Sequence, residues 1–260
     1  MDLHSGLPYW IIRNSLWDYF HPLEKDLSTD VVIVGSGITG ALMAHELCHA
    51  GIKCCIVDKR SIATGSSAAS TALLQYEIDV PLCRMAKIIG EENAATAYHA
   101  CLQSISDIKR VLEETGVNAG FEQLPSLFYA SSAADNKLLE QEHEIRQKHK
   151  LPVNLLEKKK IKEEYKVKTP GNALINEASA QMDAYRAATG LLAYHIKESG
   201  LKVFTHTSIK ECIETSDGCI MTTDRGHKIK CGYVIIATGF EAGQFLPQKI
   251  MDLTSRSEEH

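Results

Sequence analysis

The sequence predicts an α/β protein built from two interleaved parts, and three observations support this. Residues 31–58 combine an apolar strand pattern, a glycine-rich turn, a helix pattern and a second apolar strand. Residues 85–182 mix helical and strand-like patterns, and the last third consists of short strand-like runs separated by turns. We therefore predict one domain formed by residues 1–84 and 183–260, with a mixed α+β domain of residues 85–182 inserted between its two parts.

Composition restricts the class of protein. The 260 residues carry 28 basic and 33 acidic side chains, and this net charge of −5 gives no reason to expect nucleic acid or a membrane as partner. No run approaches the ~18 apolar residues of a membrane helix, and the N-terminus lacks the basic and apolar blocks of a secretory signal. The eight cysteines are scattered without a C-x-x-C pair, so we expect a reducing, cytoplasmic location.

The first two thirds of the chain give separate signals for strands and helices. The run DVVIV predicts a strand at 31–34, and KCCIVD predicts another at 53–58. The helix between them is predicted over 38–50, because Gly51 follows as a typical C-terminal stop. Further helices are predicted at 91–115, 134–150 and 185–199, and short strands at 126–130 and 173–175.

The last third predicts a β-meander. The strand-like runs are KVFTH, SIKECIET, CIMTTD, HKIKC and YVIIATG, and the turns SDG and DRG between them are typical of hairpins. We interpret these runs as a three-stranded meander followed by a separate closing strand that ends at Ala237, Thr238 and Gly239. The final six residues, SRSEEH, are interpreted as a polar tail.

A glycine-rich turn follows the first strand and fits the pattern G-x-G-x-x-G: Gly35, Ser36, Gly37, Ile38, Thr39 and Gly40. Gly35 allows a tight turn, Gly37 lets the backbone approach a pyrophosphate, and Gly40 lets the helix lie close to the strand. Asp58 ends the second strand, where a carboxylate accepts hydrogen bonds from a ribose. The strand, turn, helix, strand and acid occur in the right order, so the first domain is predicted to be Rossmann-like and to bind a dinucleotide.

The pentapeptide HELCH, residues 45–49, also fits the zinc-hydrolase pattern H-E-x-x-H. On the predicted helix, however, the stripe that faces the sheet runs through Gly40 and Ala44. We therefore expect His45 and His49 on the outer side of the helix, without a third ligand, and we predict no metal site.

These motifs resemble the D-amino-acid oxidase and glycine oxidase family of FAD-dependent amine oxidases. The similar segments are VVIVGSGITGALMAHELCHAGIKCCIVDKR, GSSAASTALLQ, QMDAYRAATGLL, HTSIKECI and YVIIATGF; they run in the family's order and cover about residues 30–246. The resemblance implies that FAD is the cofactor and that a small-molecule amine or amino acid is oxidised at its CH–N bond. It implies no particular catalytic side chain.

The resemblance also implies which residues contact FAD. Residues 35–40 would hold the pyrophosphate, and Asp58, where the family usually has glutamate, would bind the adenosine ribose. Ile209 would contact the adenine through its backbone. The other implied contacts lie after the second strand and at the end of the closing strand: Lys59, Arg60, Ser66, Ser67, Ser70, Thr71, Ala237, Thr238 and Gly239.

Members of this family continue beyond the segment that corresponds to YVIIATGF. They add strands of the substrate domain and a segment over the flavin ring. We therefore expect an incomplete substrate-type domain, impaired turnover, and a second copy or a companion chain that covers the missing half. Two other interpretations stay open: a catalytically silent dinucleotide-binding or interaction protein, and an NAD(P)-linked dehydrogenase in which Lys59 and Arg60 hold a 2′-phosphate.

Overall fold

The computed structural model describes residues 6–17 and 20–245, and the predicted polar tail lies outside them. The strands are β1 Leu27–Val34, β2 Cys54–Val57, β3 Leu73–Leu74, β4 Glu122–Tyr129, β5 Asn154–Leu156, β6 Ala173–Gln181, β7 Lys202–Phe204, β8 Ile209–Thr215, β9 Gly218–Thr223 and β10 Lys228–Ile236. The α-helices are α1 Tyr9–Asn14, α2 Ile38–His49, α3 Leu82–Ile89, α4 Glu91–Thr115, α5 Asn136–Lys148, α6 Lys158–Tyr165 and α7 Ala184–Glu198. Short 3₁₀ helices occupy Ser66–Ala69, Ala133–Asp135 and Gly239–Phe245.

The chain folds into two compact units. The first unit comprises Met1–Thr71, Thr115–Ala119 and Asp183–His260, and the second comprises Ala72–Glu114 and Gly120–Met182. The fold is α/β, with a parallel core in the first unit, as the sequence predicts. The cofactor and substrate roles that the sequence assigns to its domains stay predictions.

The first unit is organised by a six-stranded sheet of order β7-β2-β1-β10-β9-β8. The pairs β1–β2, β2–β7 and β1–β10 are parallel, whereas β9 runs antiparallel to both β10 and β8. The last four residues of β1, Val31–Val34, are all buried. A continuous apolar run is typical of a parallel strand whose two faces are both covered.

Strand β10 joins the parallel and antiparallel halves of this sheet. It is a single strand of nine residues, so the expected division into HKIKC and a separate closing strand is wrong. Lys228 to Cys231 pair with β9, and Tyr233 to Ile236 continue along β1. The third meander strand and the closing strand are therefore one element. Gly232, which lies between the two runs in the sequence, is a residue of this strand.

The two faces of this sheet are covered differently. On one face, Val32 and Val34 of β1 belong to an apolar cluster with residues of β2 and of the meander: Cys55, Val57, Met221, Ile229 and Cys231. On the other face, the side chain of Ile33 lies beside Gly40 of α2. Helix α2 also packs against α7.

The second unit contains a four-stranded antiparallel sheet. Strand β4 pairs with β6 along one edge, and β3 and β5 pair with opposite ends of the other edge. The predicted helix at 91–115 is confirmed as α4. The short strands predicted at 126–130 and 173–175 exist but extend over Glu122–Tyr129 and Ala173–Gln181. Within the described residues, no helix is both long enough and apolar enough to cross a membrane.

A buried ion pair organises the helices of the second unit. Arg146 and Glu142, one turn apart on α5, are 1% and 0% exposed. The Arg146 Nε donates to Glu142 Oε1 at 2.7 Å, and its Nη1 donates to Glu77 Oε1 at 3.1 Å. The guanidinium also lies over the rings of Tyr76 and Tyr98. The sequence predicts a helix at 134–150, but it does not show that two of the charges of this helix are buried.

The same Glu142 carboxylate caps the N-terminus of helix α3. It accepts hydrogen bonds from the backbone N–H of Leu82 at 2.9 Å and of Cys83 at 2.8 Å. These are the first two amides of α3, where a helix leaves N–H groups unpaired and favours negative charge. Glu142 therefore balances Arg146 and holds α3 against α5.

Candidate dinucleotide-binding site

The glycine-rich turn between β1 and α2 is packed too closely for a side chain at two positions. Gly35 has a φ of +111°, and a Cβ atom there would lie 2.4 Å from the carbonyl oxygen of Ala237. A Cβ atom at Gly40 would lie 2.0 Å from the carbonyl oxygen of Gly35. The start of α2 therefore rests directly on the turn, and the turn rests on the residue that follows β10.

Gly37 differs from these two glycines because its surroundings leave more room. Its backbone is extended, and a Cβ atom would meet only the Ser67 Oγ, at 3.0 Å. The Ser67 hydroxyl in turn accepts a hydrogen bond of 2.9 Å from the N–H of Ile38, the first residue of α2. The structure thus brings the serine-rich loop over the first turn of α2, where N–H groups favour an anion.

The carboxylate of Asp58 ties the end of β2 to the glycine-rich turn. Its Oδ2 accepts from the N–H of Ser36 at 2.7 Å and from the Ser36 hydroxyl at 2.6 Å. Its Oδ1 accepts from the N–H of Arg60 at 2.8 Å. A carboxylate has about four acceptor positions, so Oδ1 keeps roughly one for a ribose hydroxyl. The sequence predicts a ligand role for Asp58 but not its contact with Ser36.

Lys59 and Arg60 are both held by an acid from a distant part of the chain. Lys59 Nζ lies 2.6 Å from Glu241 Oε1, and Arg60 Nη1 lies 3.0 Å from Glu241 Oε2. Burial opposes the charged form of Glu241, but the hydrogen bonds from Arg60 and Lys59 hold the pKa of this carboxyl below its usual range. Sequence reasoning missed Glu241, because it lies 181 positions from Arg60 and fits no motif.

The residues after β10 form the third side of the site. The N–H of Ala237 donates to the carbonyl of Val34 at 2.8 Å, which fixes the turn beside Gly35. The hydroxyl oxygen of Thr238 is buried and has no hydrogen-bond partner among the described residues. A buried hydroxyl without a partner is costly, so it marks a place where a polar ligand or water fits. Gly239 follows with a φ of +59°.

The remaining predicted contact residues lie at different depths. Ser66 and Thr71 are exposed, and the carbonyl of Ser70, also exposed, accepts from the Trp10 indole N–H at 2.8 Å. The Ile209 side chain packs against the apolar cluster of the sheet. The structure therefore gathers the glycine-rich turn, Asp58, Ser67, Ala237 and Thr238 at one edge of the sheet. The ligand roles of all the predicted contact residues stay predictions.

The expectation that both histidines of HELCH face outward is wrong for His45. His45 is 5% exposed, and its Nδ1 shares a hydrogen bond of 3.0 Å with Nε2 of His195 on α7. Burial, with the nearby imidazoles of His45 and His49, lowers the pKa of His195. The Nδ1 of His195 lies 3.1 Å from the Ser199 hydroxyl. His45 and His195 therefore form a contact between helices α2 and α7.

One group in the second unit has the spacing of a metal site: Glu91, Glu92 and His149. Glu91 Oε1 already lies 2.6 Å from Lys148 Nζ and 2.7 Å from His149 Nε2. These hydrogen bonds from Lys148 and His149 lower the pKa of Glu91. The carboxylate is therefore balanced by protein groups in this arrangement.

The βαβ unit, its glycine-rich turn and the meander form an α/β fold of the kind that binds dinucleotides. The chain belongs to the DAO family of FAD dependent oxidoreductases, whose model matches residues 30–257. Family membership favours FAD over the NAD(P) of the alternative interpretation. The glycine turn, the N-terminus of α2 and the buried hydroxyl of Thr238 have the chemistry that such a cofactor requires.

Similar proteins include a curated protein of Bacillus subtilis (strain 168) named "Putative Rieske 2Fe-2S iron-sulfur protein YhfW", 23% identical over 89% of this chain and 44% of its own length. The crystal structure of glycine oxidase from Geobacillus kaustophilus has a TM-score of 0.70 at 22% identity, over 84% of this chain and 57% of that chain. The crystal structure of L-proline dehydrogenase from P. horikoshii has a TM-score of 0.69 at 23% identity, over 87% of this chain and 58% of that chain. The chain thus spans about half the length of these proteins.

An added methyl group should have different effects at Gly37 and at Gly40. Gly37→Ala should lower affinity for FAD and ADP at least about tenfold, because the methyl occupies the approach of the pyrophosphate. Its free energy of unfolding should change by less than about 1 kcal/mol. Gly40→Ala, whose methyl meets backbone, should lower that free energy by about 1–3 kcal/mol. Calorimetric titration measures the affinities, and urea unfolding measures the free energies of unfolding. An unchanged ADP affinity in Gly37→Ala would contradict the prediction.

The two histidines of HELCH provide a second matched pair. His45→Ala should lower the free energy of unfolding by about 1–3 kcal/mol, because it removes the buried hydrogen-bond partner of His195. His49→Ala, at an exposed position of the same helix, should change it by less than about 0.5 kcal/mol. Urea unfolding of both variants tests this, and equal small effects would show that the buried contact contributes nothing.

Proposed function

We propose that this chain binds FAD at the edge formed by the ends of β1, β2 and β10. We further propose that the protein is an oxidoreductase acting on the CH–N bond of an amine or amino acid. The observation that supports the cofactor proposal best is the close packing of Gly35, Gly40 and Ala237. This packing holds the start of α2 against the turn, where a Cβ atom at Gly37 would meet only the Ser67 hydroxyl. The buried Thr238 hydroxyl follows Ala237 in the chain.

Each part of the site has a proposed task. The N-terminus of α2 and Gly37 bind the pyrophosphate, and the remaining acceptor position of Asp58 binds a ribose hydroxyl. The Thr238 hydroxyl forms a hydrogen bond with the dinucleotide, and the Ile209 backbone contacts adenine. Ser66, Ser70 and Thr71 lie along the phosphates and the flavin. When bound, the flavin supplies the hydride acceptor, and the chain supplies binding and orientation.

The proposed substrate class rests on the relatives. The similar structures are named glycine oxidase and L-proline dehydrogenase, and others of the same fold are named L-amino acid deaminase. All three names describe reactions at amino acids. Because the identities are low and the chain spans about half of those proteins, the amino-acid substrate is a proposal for this chain.

The cofactor proposal predicts a yellow protein. The purified chain, alone or after addition of FAD, should show a flavin spectrum, and heating should release FAD and not FMN. Reduction of the bound flavin by small amines and amino acids is then followed anaerobically, and peroxide and ferricyanide assays identify the acceptor. Ferricyanide is included because the YhfW relative is named as an iron–sulfur protein.

The outcomes of this experiment separate the alternatives. Flavin reduction by an amino acid supports the proposed reaction. Bound FAD that no amine reduces would favour the catalytically silent binding protein. A colourless chain that binds NADH tightly would overturn the cofactor proposal.

We also propose that a second copy or a companion chain covers the missing half of the substrate-type domain, and that the protein works in the reducing cytoplasm. Two exposed apolar side chains on the sheet of the second unit support a partner: Leu73 on β3 and Tyr129 on β4 are 63% and 47% exposed. All eight cysteines are free, which fits a reducing compartment. Light scattering of the purified chain should give a mass above 28.7 kDa, and a monomeric mass would contradict self-association.

A further inference from the structure

Lys59 and Arg60 occupy the place where a dinucleotide-binding fold distinguishes its ligands. They follow Asp58 directly, at the end of β2. In such folds, an acid at this position binds an unmodified ribose, whereas a nearby basic residue accommodates a 2′-phosphate. This chain carries both kinds of residue side by side, so its preference depends on what the two cations contact.

Glu241 contacts both of them. Its Oε1 lies 2.6 Å from Lys59 Nζ and 3.3 Å from Arg60 Nη2, and its Oε2 lies 3.0 Å from Arg60 Nη1. The Glu241 side chain is 9% exposed, whereas those of Lys59 and Arg60 are 35% and 27% exposed. The acid thus lies beneath two cations that remain partly open to solvent. The guanidinium meets both carboxylate oxygens, which is the strongest geometry for such a pair.

The charges at this place are balanced. The carboxylates of Asp58 and Glu241 offset the cations of Lys59 and Arg60. A 2′-phosphate brings about two further negative charges, and at these two cations it would lie close to the Glu241 carboxylate that already neutralises them. A ribose with two hydroxyls needs no such exchange, because Oδ1 of Asp58 keeps an acceptor position.

We propose that Glu241 is a specificity-determining residue that withholds Lys59 and Arg60 from a 2′-phosphate, so that the site selects a dinucleotide with an unphosphorylated adenosine ribose. This inference rests on the proposed FAD site and deepens it. A merely structural role of Glu241, holding the 3₁₀ turn Gly239–Phe245 against β2, would change the affinity for both kinds of ligand alike. The affinity ratio therefore distinguishes the two roles.

The test uses the full chain freed of bound nucleotide, titrated calorimetrically with ADP and with 2′-phospho-ADP. The wild-type chain should prefer ADP. In Glu241→Gln, the ratio of affinities should shift toward 2′-phospho-ADP by about tenfold, which corresponds to about 1.4 kcal/mol. Glu198→Gln removes a glutamate from an exposed ion pair with Lys197, and this matched control should leave the ratio unchanged.

A second substitution changes Lys59, first in the otherwise wild-type chain and then together with Glu241→Gln. Lys59→Gln in the otherwise wild-type chain should leave the affinity ratio within about twofold, because the amine is already held by Glu241. In the Glu241→Gln background, the same substitution should remove most of the gain for 2′-phospho-ADP. Urea unfolding checks that each variant is folded.

Each outcome decides the inference. An affinity ratio that stays within about twofold of wild type in Glu241→Gln, while ADP still binds, would overturn this inference alone. A tenfold loss of 2′-phospho-ADP affinity in the single variant Lys59→Gln would do the same, because it would show that the lysine already serves the phosphate. Failure of the folded wild-type chain to bind ADP or FAD would overturn the proposed function and, with it, this inference.

Discussion

The structure of the first unit depends on the contact between the backbone of Gly40 and the carbonyl of Gly35. A Cβ atom at Gly40 would approach that oxygen to 2.0 Å, so α2 can begin directly on the turn only if this residue has no side chain. Gly35 is fixed in turn by Ala237, whose N–H pairs with Val34. One steric constraint therefore sets the position of α2, the end of β1 and the end of β10. The candidate phosphate-binding turn lies where these three meet.

Much of the fold could be predicted from the sequence, because the signals for these elements are local. The G-x-G-x-x-G turn, the apolar strands around it and the long helix at 91–115 all follow from residues close in sequence. The rest depends on distant contacts. His45 looked like an outer residue of an amphipathic helix until α7 supplied His195, 150 positions away. Glu241 fits no motif, and the sequence does not show that the runs HKIKC and YVIIATG, on either side of Gly232, form one strand.

The second unit places charge where its sequence pattern suggests solvent. Arg146 and Glu142 belong to a helix rich in charged residues, yet both are buried and their contacts reach Glu77 and the start of α3. A buried pair of this kind adds little net stability. Removing one partner, however, leaves the other charge buried without a counter-charge and typically costs 3–5 kcal/mol. The pair therefore acts mainly to fix which elements pack together. Periodicity alone cannot reveal this, because the same pattern describes an exposed helix.

The pairing of β1 with β10 also constrains how the chain can fold during synthesis. Leu27 pairs with Ile229, about two hundred residues later, and the whole second unit is made between them. At a synthesis rate of about 5–20 residues per second, roughly 10–40 s pass between the synthesis of β1 and that of β10. Its inner edge is unpaired during that time and open to other chains. The second unit is complete once Met182 has emerged, so it can fold first. A sheet closed by such a distant pair should form slowly from denaturant as well, because contacts between distant residues slow folding.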